Sequence, residues 1–204
     1  MGGSNGYASM VWNKKKKGAR PKGKRRKLDN YETPPRNTFQ VTEAIKFKGP
    51  ILEPACGSGR MVHALRASTG LKVTGFDLKN GHDFLARTAI WPGDIVTNPP
   101  YGNGMADAFA NHALKLADGR VAVLVELKFL TGDRRAAKLF RRLRPELVIV
   151  IPERIYFFAG KKPIPAQFYN HCWIVWPDRK TRRRGNYETK LIWTTPQPLE
   201  AWEK

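Results

Sequence analysis

The stretch from Ile51 to Arg60, ILEPACGSGR, constrains this chain more than any other. An apolar run of strand character breaks into a turn containing Gly57 and Gly59, and a helical pattern from Arg60 to Ser68 begins at once. Without a Cβ, both glycines allow a sharp backbone turn and the close approach of a ligand. Downstream, strand patterns at Lys72 to Asp77, Asp94 to Asn98, Arg120 to Leu127, Glu146 to Ile151, His171 to Trp176 and Tyr187 to Thr194 alternate with helical ones at Ala106 to Leu116 and Arg134 to Leu143. Together with the first run they predict an α/β fold, a mostly parallel seven-stranded sheet with helices on both faces. Upstream, Leu28 to Gln40 reads as a proline-rich entry loop, followed by a short helix for which Thr42 is the N-cap.

Charge is the second constraint. The chain has 37 Lys plus Arg against 17 Asp plus Glu, a net +20, which points to a polyanionic partner, with nucleic acid ahead of an anionic membrane surface. No apolar stretch approaches the roughly 18 residues of a membrane span. Two cysteines, Cys56 and Cys172, form neither a disulfide framework nor a metal-site spacing, so no metal and a reducing, cytoplasmic setting are expected.

The cations are clustered. Lys14, Lys15, Lys16, Lys17, Arg20, Lys22, Lys24, Arg25, Arg26 and Lys27 fill ten of fourteen positions with no apolar periodicity. Residues 1–28 are therefore read as a disordered basic arm and 29–204 as a single folded domain. Arg134 and Arg135 begin a basic helix, and Arg182, Arg183 and Arg184 fall in an expected turn, on a hairpin between the last two strands. All are candidate phosphate contacts, against the competing reading of solvated charge.

At the carboxyl edge of an α/β sheet, the loop after the first strand is a ligand site. Val62 stands where a dinucleotide fingerprint needs Gly or Ala, and no Lys follows the turn as a phosphate loop requires. What remains is a glycine turn preceded by Glu53, which suits a ligand carrying a positive amino group. Asp77 lies 20 residues after Gly57, where a carboxylate accepts bonds from ribose hydroxyls. Asp83 follows at an expected strand edge near an adenine position, with a turn-capping role as the alternative. Further on, the strand ending at Thr97 runs into Asn98-Pro99-Pro100-Tyr101, a turn stiffened by its two prolines.

Glu53-Pro54-Ala55-Cys56-Gly57-Ser58-Gly59 and Asn98-Pro99-Pro100-Tyr101 together resemble the motifs of class I S-adenosylmethionine-dependent methyltransferases with a Rossmann-like fold, in particular small phage-type DNA N6-adenine methyltransferases. The resemblance covers roughly residues 30–176. It implies S-adenosylmethionine as cofactor, its methionine part lined by Ala55, Cys56 and Gly57, its ribose held by Asp77, and its adenine bordered by Asp83 and Phe84. Tyr31, Thr33 and Pro34 are similar to the family's upstream motif that closes over the methionine end, and Arg154 and Phe157 to a late motif near the target base.

A planar exocyclic amine is a weak nucleophile, and acceptors at Asn98 and Pro99 would pull its nitrogen toward tetrahedral geometry, while Tyr101 offers a stacking face. The same turn also occurs in enzymes acting on guanine amines in RNA or on a glutamine amide, so it defines a planar amine target more firmly than a substrate. The charge points to a nucleic acid and the resemblance favours DNA over RNA, with methylation of adenine or guanine amines in RNA and a noncatalytic nucleic-acid-binding module as alternatives; residues 29–204 are then expected to be a catalytic domain without a separate target-recognition domain. With only ten residues between Asp83 and Asp94, target recognition falls to short loops, the arm, a protein partner or nothing. Low sequence specificity is expected. The four histidines have no ligand spacing and are read as structural or exposed.

Overall fold

The protein is described here from a computed structural model covering residues 31–159, 162–165 and 169–195. The basic arm and its ten candidate phosphate contacts lie outside the described residues. Strands β1 (Ile51–Glu53), β2 (Val73–Gly75), β3 (Asp94–Thr97), β4 (Val121–Glu126), β5 (Leu147–Ile151), β8 (His171–Trp176) and β9 (Lys190–Trp193) form one seven-stranded sheet in the order β2-β1-β3-β4-β8-β5-β9. Only β8 runs against the rest. Strands β6 (Tyr156–Ala159) and β7 (Lys162–Pro165) form a separate hairpin that sequence patterning did not reveal. The seven-stranded, mostly parallel expectation holds.

Alternation along each strand feeds two cores. Leu52, Ile95, Val123 and Ile174 pack on one face against α3 (Met105–Leu116) through Phe109, Ala110 and Ala113. Ile51, Val96, Leu124 and Trp173 pack on the other against α1 (Pro35–Ala44) and α2 (Arg60–Thr69), through Val41, Met61 and Leu65. Because both faces are covered, the central strands read as continuous apolar runs, as buried parallel strands do.

Four local expectations are corrected. The first helix is Pro35–Ala44, starting seven residues before the expected Thr42 cap; Pro35 sits in its first turn, where a missing N–H costs nothing, and the Thr42 hydroxyl bonds back to the Phe39 carbonyl at 3.1 Å in the last turn. No strand edge lies at Asp83: after β2 the chain makes a 3₁₀ turn at Leu78–Asn80, and the next strand is β3 from Asp94. The basic helix shrinks to α4 (Asp133–Arg135) and a π-turn over Ala136–Phe140. Arg179–Arg184 is not a hairpin turn but helix α5, after which β9 pairs in parallel with β5, Leu147 opposite Lys190.

At the amino edge, a buried carboxylate organises two loops. Asp94 accepts backbone N–H bonds from Lys48 (3.0 Å), Gly49 (3.2 Å) and Arg120 (2.6 Å). Gly119 stands so close that a Cβ there would lie 2.3 Å from an Asp94 oxygen. Replacing Asp94 with Ala orphans buried donors, so Asp94→Ala is expected to lower unfolding free energy by about 3 kcal/mol in chemical denaturation. A loss below about 1 kcal/mol contradicts this role.

Candidate active site

The carboxyl ends of β1, β2 and β3 open onto a cavity of about 580 Å³. Its floor is the glycine turn. Gly57 adopts φ 55° and Gly59 φ 93°, left-handed conformations that favour glycine, and Gly59 caps the start of α2. The Gly57 N–H donates to Asp77 Oδ2 at 2.9 Å, while Asp77 Oδ1 accepts from Lys79 N at 2.9 Å. Asp77 thus braces the turn from the end of the neighbouring strand while also lining the cavity. Gly75 in β2 is required for the same reason: a Cβ there would meet Cys56 Sγ and Val62 Cγ2 at 2.9 Å.

Glu53 is the buried acid of the site, 1% exposed. Oε1 accepts the Thr97 hydroxyl at 2.7 Å and the Ala55 N–H at 3.0 Å. Oε2 is buried without a hydrogen-bond partner among the described residues. Burial pushes the carboxyl up to about 8, against the lowering effect of the Thr97 hydroxyl and of the Ala55 and Asn98 backbone amides. A cationic group from a ligand in the cavity would satisfy this oxygen and favour the ionised form.

Asn98 stands at the end of β3. Its Nδ2 donates to the Tyr31 carbonyl at 3.0 Å, which assigns the amide orientation, and Oδ1 is buried without a partner among the described residues. Pro99, Pro100 and Tyr101 line the cavity beside it. Tyr101 packs edge-on against Phe157 (6.4 Å) and His171 (6.1 Å), Phe157 meets His171 at 5.2 Å, and Tyr31 leans on Phe157 at 6.0 Å. These rings form an aromatic wall beside the turn. Burial lowers His171 to about 4, so it is neutral near pH 7, and raises the Tyr101 hydroxyl well above its usual range.

The structure brings together Tyr31, Thr33, Glu53, Ala55, Cys56, Gly57, Asp77, Asp83, Phe84, Asn98, Pro99, Pro100 and Tyr101 around this one cavity. Pro34 and Gly59 are not in its lining; they cap α1 and α2 and set the loops' entry angles. Asp83 accepts the Leu85 N–H at 2.9 Å, the turn-capping role, while remaining at the rim. Phe84 is buried, packing on Phe109 at 5.1 Å. Phe157 joins the aromatic wall, whereas Arg154 is exposed.

Two cation assignments are corrected. Arg135 forms a fork with Asp107 (2.7 and 3.2 Å), donates to the Thr131 carbonyl at 3.0 Å and lies over the Phe129 ring, so it is a structural clamp. Arg182 is 5% exposed and donates to the carbonyls of Gly119, Ala117 and Pro177, too buried to meet a phosphate. Arg134, Arg183 and Arg184 are exposed.

Sequence reasoning passed over Glu32, His82 and His171. Glu32 accepts from Ser58 N (2.9 Å) and Arg60 Nε (3.2 Å), tying the entry segment to the glycine turn, and its backbone pairs with Phe158 in both directions at 2.9 Å. Its signal was an acid inside Tyr31-Glu32-Thr33 facing the Arg60 at the start of α2. His82 stacks on Phe76 at 4.4 Å at the cavity rim. Among the described residues no group of three or more His, Cys, Asp or Glu converges as a metal site, and no helix is long and apolar enough to cross a membrane.

No family model matches the chain, and no curated protein matches it. Among solved structures it is similar to a modification subunit ascribed to a type I restriction enzyme from Vibrio vulnificus, at 15% identity and TM-score 0.53, covering 85% of this chain and 48% of that one. The chain therefore spans about half the length of that subunit. The fold shared with it is a Rossmann-like sheet, mostly parallel with one reversed strand. Lower similarity is found to 23S rRNA methyltransferase ErmE, at 15% identity and TM-score 0.48, covering 76% of this chain and 75% of that one. It is also found to a release-factor-specific protein-(glutamine-N5) methyltransferase from Alicyclobacillus acidocaldarius, at 22% identity and TM-score 0.37, covering 70% and 93% respectively.

The Glu53 environment predicts a pH effect. Its folded value lies above its ordinary 4.5, so the folded state holds the extra proton between 4.5 and about 8, and stability must fall as pH rises through that window. Chemical denaturation at pH 5 and pH 8 is expected to show a loss in the native protein that Glu53→Gln largely removes. An equal pH dependence in both proteins assigns it to other groups.

Proposed function

We propose that the protein is an S-adenosylmethionine-dependent methyltransferase acting on the exocyclic N6 amine of adenine in DNA, with low sequence specificity. The observation that carries this reading is Asn98, a residue lining the cavity whose amide is pinned through Nδ2 to the Tyr31 carbonyl so that Oδ1 is left as a buried, unpartnered acceptor.

The residues present fit the cofactor. Glu53, with Oε2 unpaired, would hold its amino group; Ala55, Cys56 and Gly57 would line its methionine part. Asp77 retains acceptor capacity for ribose hydroxyls beyond the two N–H groups it holds, and Asp83 with Phe84 borders the adenine end. When bound, S-adenosylmethionine supplies an electrophilic methyl group on a sulfonium.

The chain's own residues then act on the target amine. Asn98 Oδ1 accepts one N–H and the Pro99 carbonyl the other, which draws the nitrogen lone pair out of conjugation and orients it. Tyr101 gives the base a stacking face, and the rings of Phe157 and His171 keep that face from rotating. Amide oxygens are too weakly basic to deprotonate the amine beforehand, so the residues act by orientation, and the extra proton passes to water once methyl transfer has made the nitrogen cationic. A target within a duplex must flip out to reach this position. The net charge of +20 supports a polyanionic substrate, and the expectation of DNA over RNA rests on the motif resemblance. Discrimination between sequences falls to the loops at the carboxyl edge and to hairpin β6–β7, which Phe157 joins to the aromatic wall.

The test is methyl incorporation from labelled cofactor into DNA. Asn98→Ala is expected to lower the rate by about 10²- to 10³-fold while leaving cofactor affinity within about threefold, as loss of a group acting mainly in the transition state does. Unchanged incorporation removes Asn98 from the chemistry.

A further inference from the structure

The cations of helix α5 face away from the cavity. β8 is antiparallel to β4, with Trp176 opposite Val121 at the start of β4 and His171 opposite Glu126 at its end. The chain therefore leaves β8 at the amino edge, and α5 (Arg179–Arg184) sits there, whereas Asn98 and Glu53 stand at the carboxyl edge. The six-residue strand β4 separates the two edges by about 20 Å.

Helix α5 is fixed rigidly. Arg182 donates to Gly119 and Ala117 carbonyls at 3.0 and 2.7 Å, and Arg179 to those of Lys115 and Ala117 at 2.5 and 3.2 Å, so both arginines strap the helix to the α3–β4 turn. The two nearby carboxylates are already committed: Asp118 pairs with Arg179 at 2.8 Å, and Asp178 caps the helix through Thr181 N and Oγ1 at 3.0 and 2.9 Å. Lys180, Arg183 and Arg184 remain exposed, with no side-chain partner among the described residues. With Arg179 and the two acids they line a shallow depression of about 470 Å³, and Arg144 adjoins it through the Gly185 carbonyl at 3.5 Å. Lys180, Arg183 and Arg184 stand at i, i+3 and i+4 on this braced helix and repel one another, a repulsion that a bound anion relieves.

We propose that Lys180, Arg183 and Arg184 form a second contact for a DNA duplex backbone, separate from the catalytic cavity, so that one molecule holds two DNA segments. The proposal rests on the reading of the protein as DNA-directed. A duplex with a persistence length of about 150 base pairs does not wrap around two opposite edges of one small domain when only some 15 base pairs long, so two such duplexes must be involved.

The test mixes two 15-base-pair duplexes, one with a donor dye and one with an acceptor, with the full-length protein at low salt, and reads energy transfer between them. Transfer is expected with the native protein, lost in K180E/R183E/R184E and retained in the charge-preserving K180R/R183K/R184K. The log-log salt slope of total DNA binding should also fall by about two to three in the charge-reversed protein. No transfer with the native protein, or transfer that survives charge reversal, overturns the proposal, the latter assigning the second duplex to another surface. Melting temperature reports folding of the variants, and K180Q/R183Q/R184Q replaces the reversed variant if that one is unfolded. Calorimetric titration with S-adenosylhomocysteine is read separately: absence of binding sinks the methyltransferase reading and leaves the energy-transfer result to decide the second contact.

Discussion

The hydrogen bond from the Thr97 hydroxyl to Glu53, 2.7 Å long and buried, joins the two halves of the site. It links the end of the strand that feeds the glycine turn to the end of the strand that feeds Asn98. β1 and β3 are neighbours in the sheet, with Leu52 opposite Ile95, so the bond spans adjacent carboxyl ends rather than a flexible gap. At the opposite edge Asp94 ties the start of β3 to three loop amides. A strand only four residues long is thereby held at both ends by buried carboxylates. One of those carboxylates is fully bonded and serves the fold; the other keeps an orphan oxygen at the cavity. Buried polar groups lacking partners are rare because they are costly, and they concentrate where a ligand completes them.

Residues 31 and 32 add the third side. The Tyr31 carbonyl fixes Asn98, and the Glu32 carboxylate holds Ser58 and Arg60 at the entry to α2. The Glu32 backbone bridges to Phe158 on the β6–β7 hairpin. One extended segment therefore couples the glycine turn, the Asn98 turn and the hairpin that carries Phe157. The geometry explains how a few residues far apart in sequence converge without a metal or a disulfide among the described residues.

Much of this was legible in the sequence because buried parallel strands give unbroken apolar runs, and because glycine and proline mark the turns that follow them. Gly57, Glu53, Asp77 and Asn98 all fall where that pattern places them. The misreadings have physical causes. Pro34-Pro35 reads as a loop, yet Pro35 opens helix α1, because the first turn needs no amide donor. Arg182 looks like Arg183 and Arg184 beside it, but those two face solvent while it turns inward to the carbonyls of the α3–β4 turn. The expected strand near Asp83 fails because Gly81 adopts a left-handed φ of 80° and closes a 3₁₀ turn. The seventh strand is β9, from the expected Tyr187–Thr194 pattern, but it adds at the far edge beside β5. No local pattern in sequence distinguishes that parallel placement from a hairpin with β8; only the intervening helix α5 does.

The central claim is that Glu53 and Asn98 mark the two ends of one reaction, a methyl donor on one side and an adenine amine on the other. Nucleoside mass spectrometry after incubating the protein with S-adenosylmethionine and either DNA or RNA tests it most directly. The account predicts N6-methyladenine in DNA, dependent on the protein and the cofactor. Methylation confined to RNA or to protein amides, or no methylated nucleoside under conditions where the cofactor binds, contradicts it.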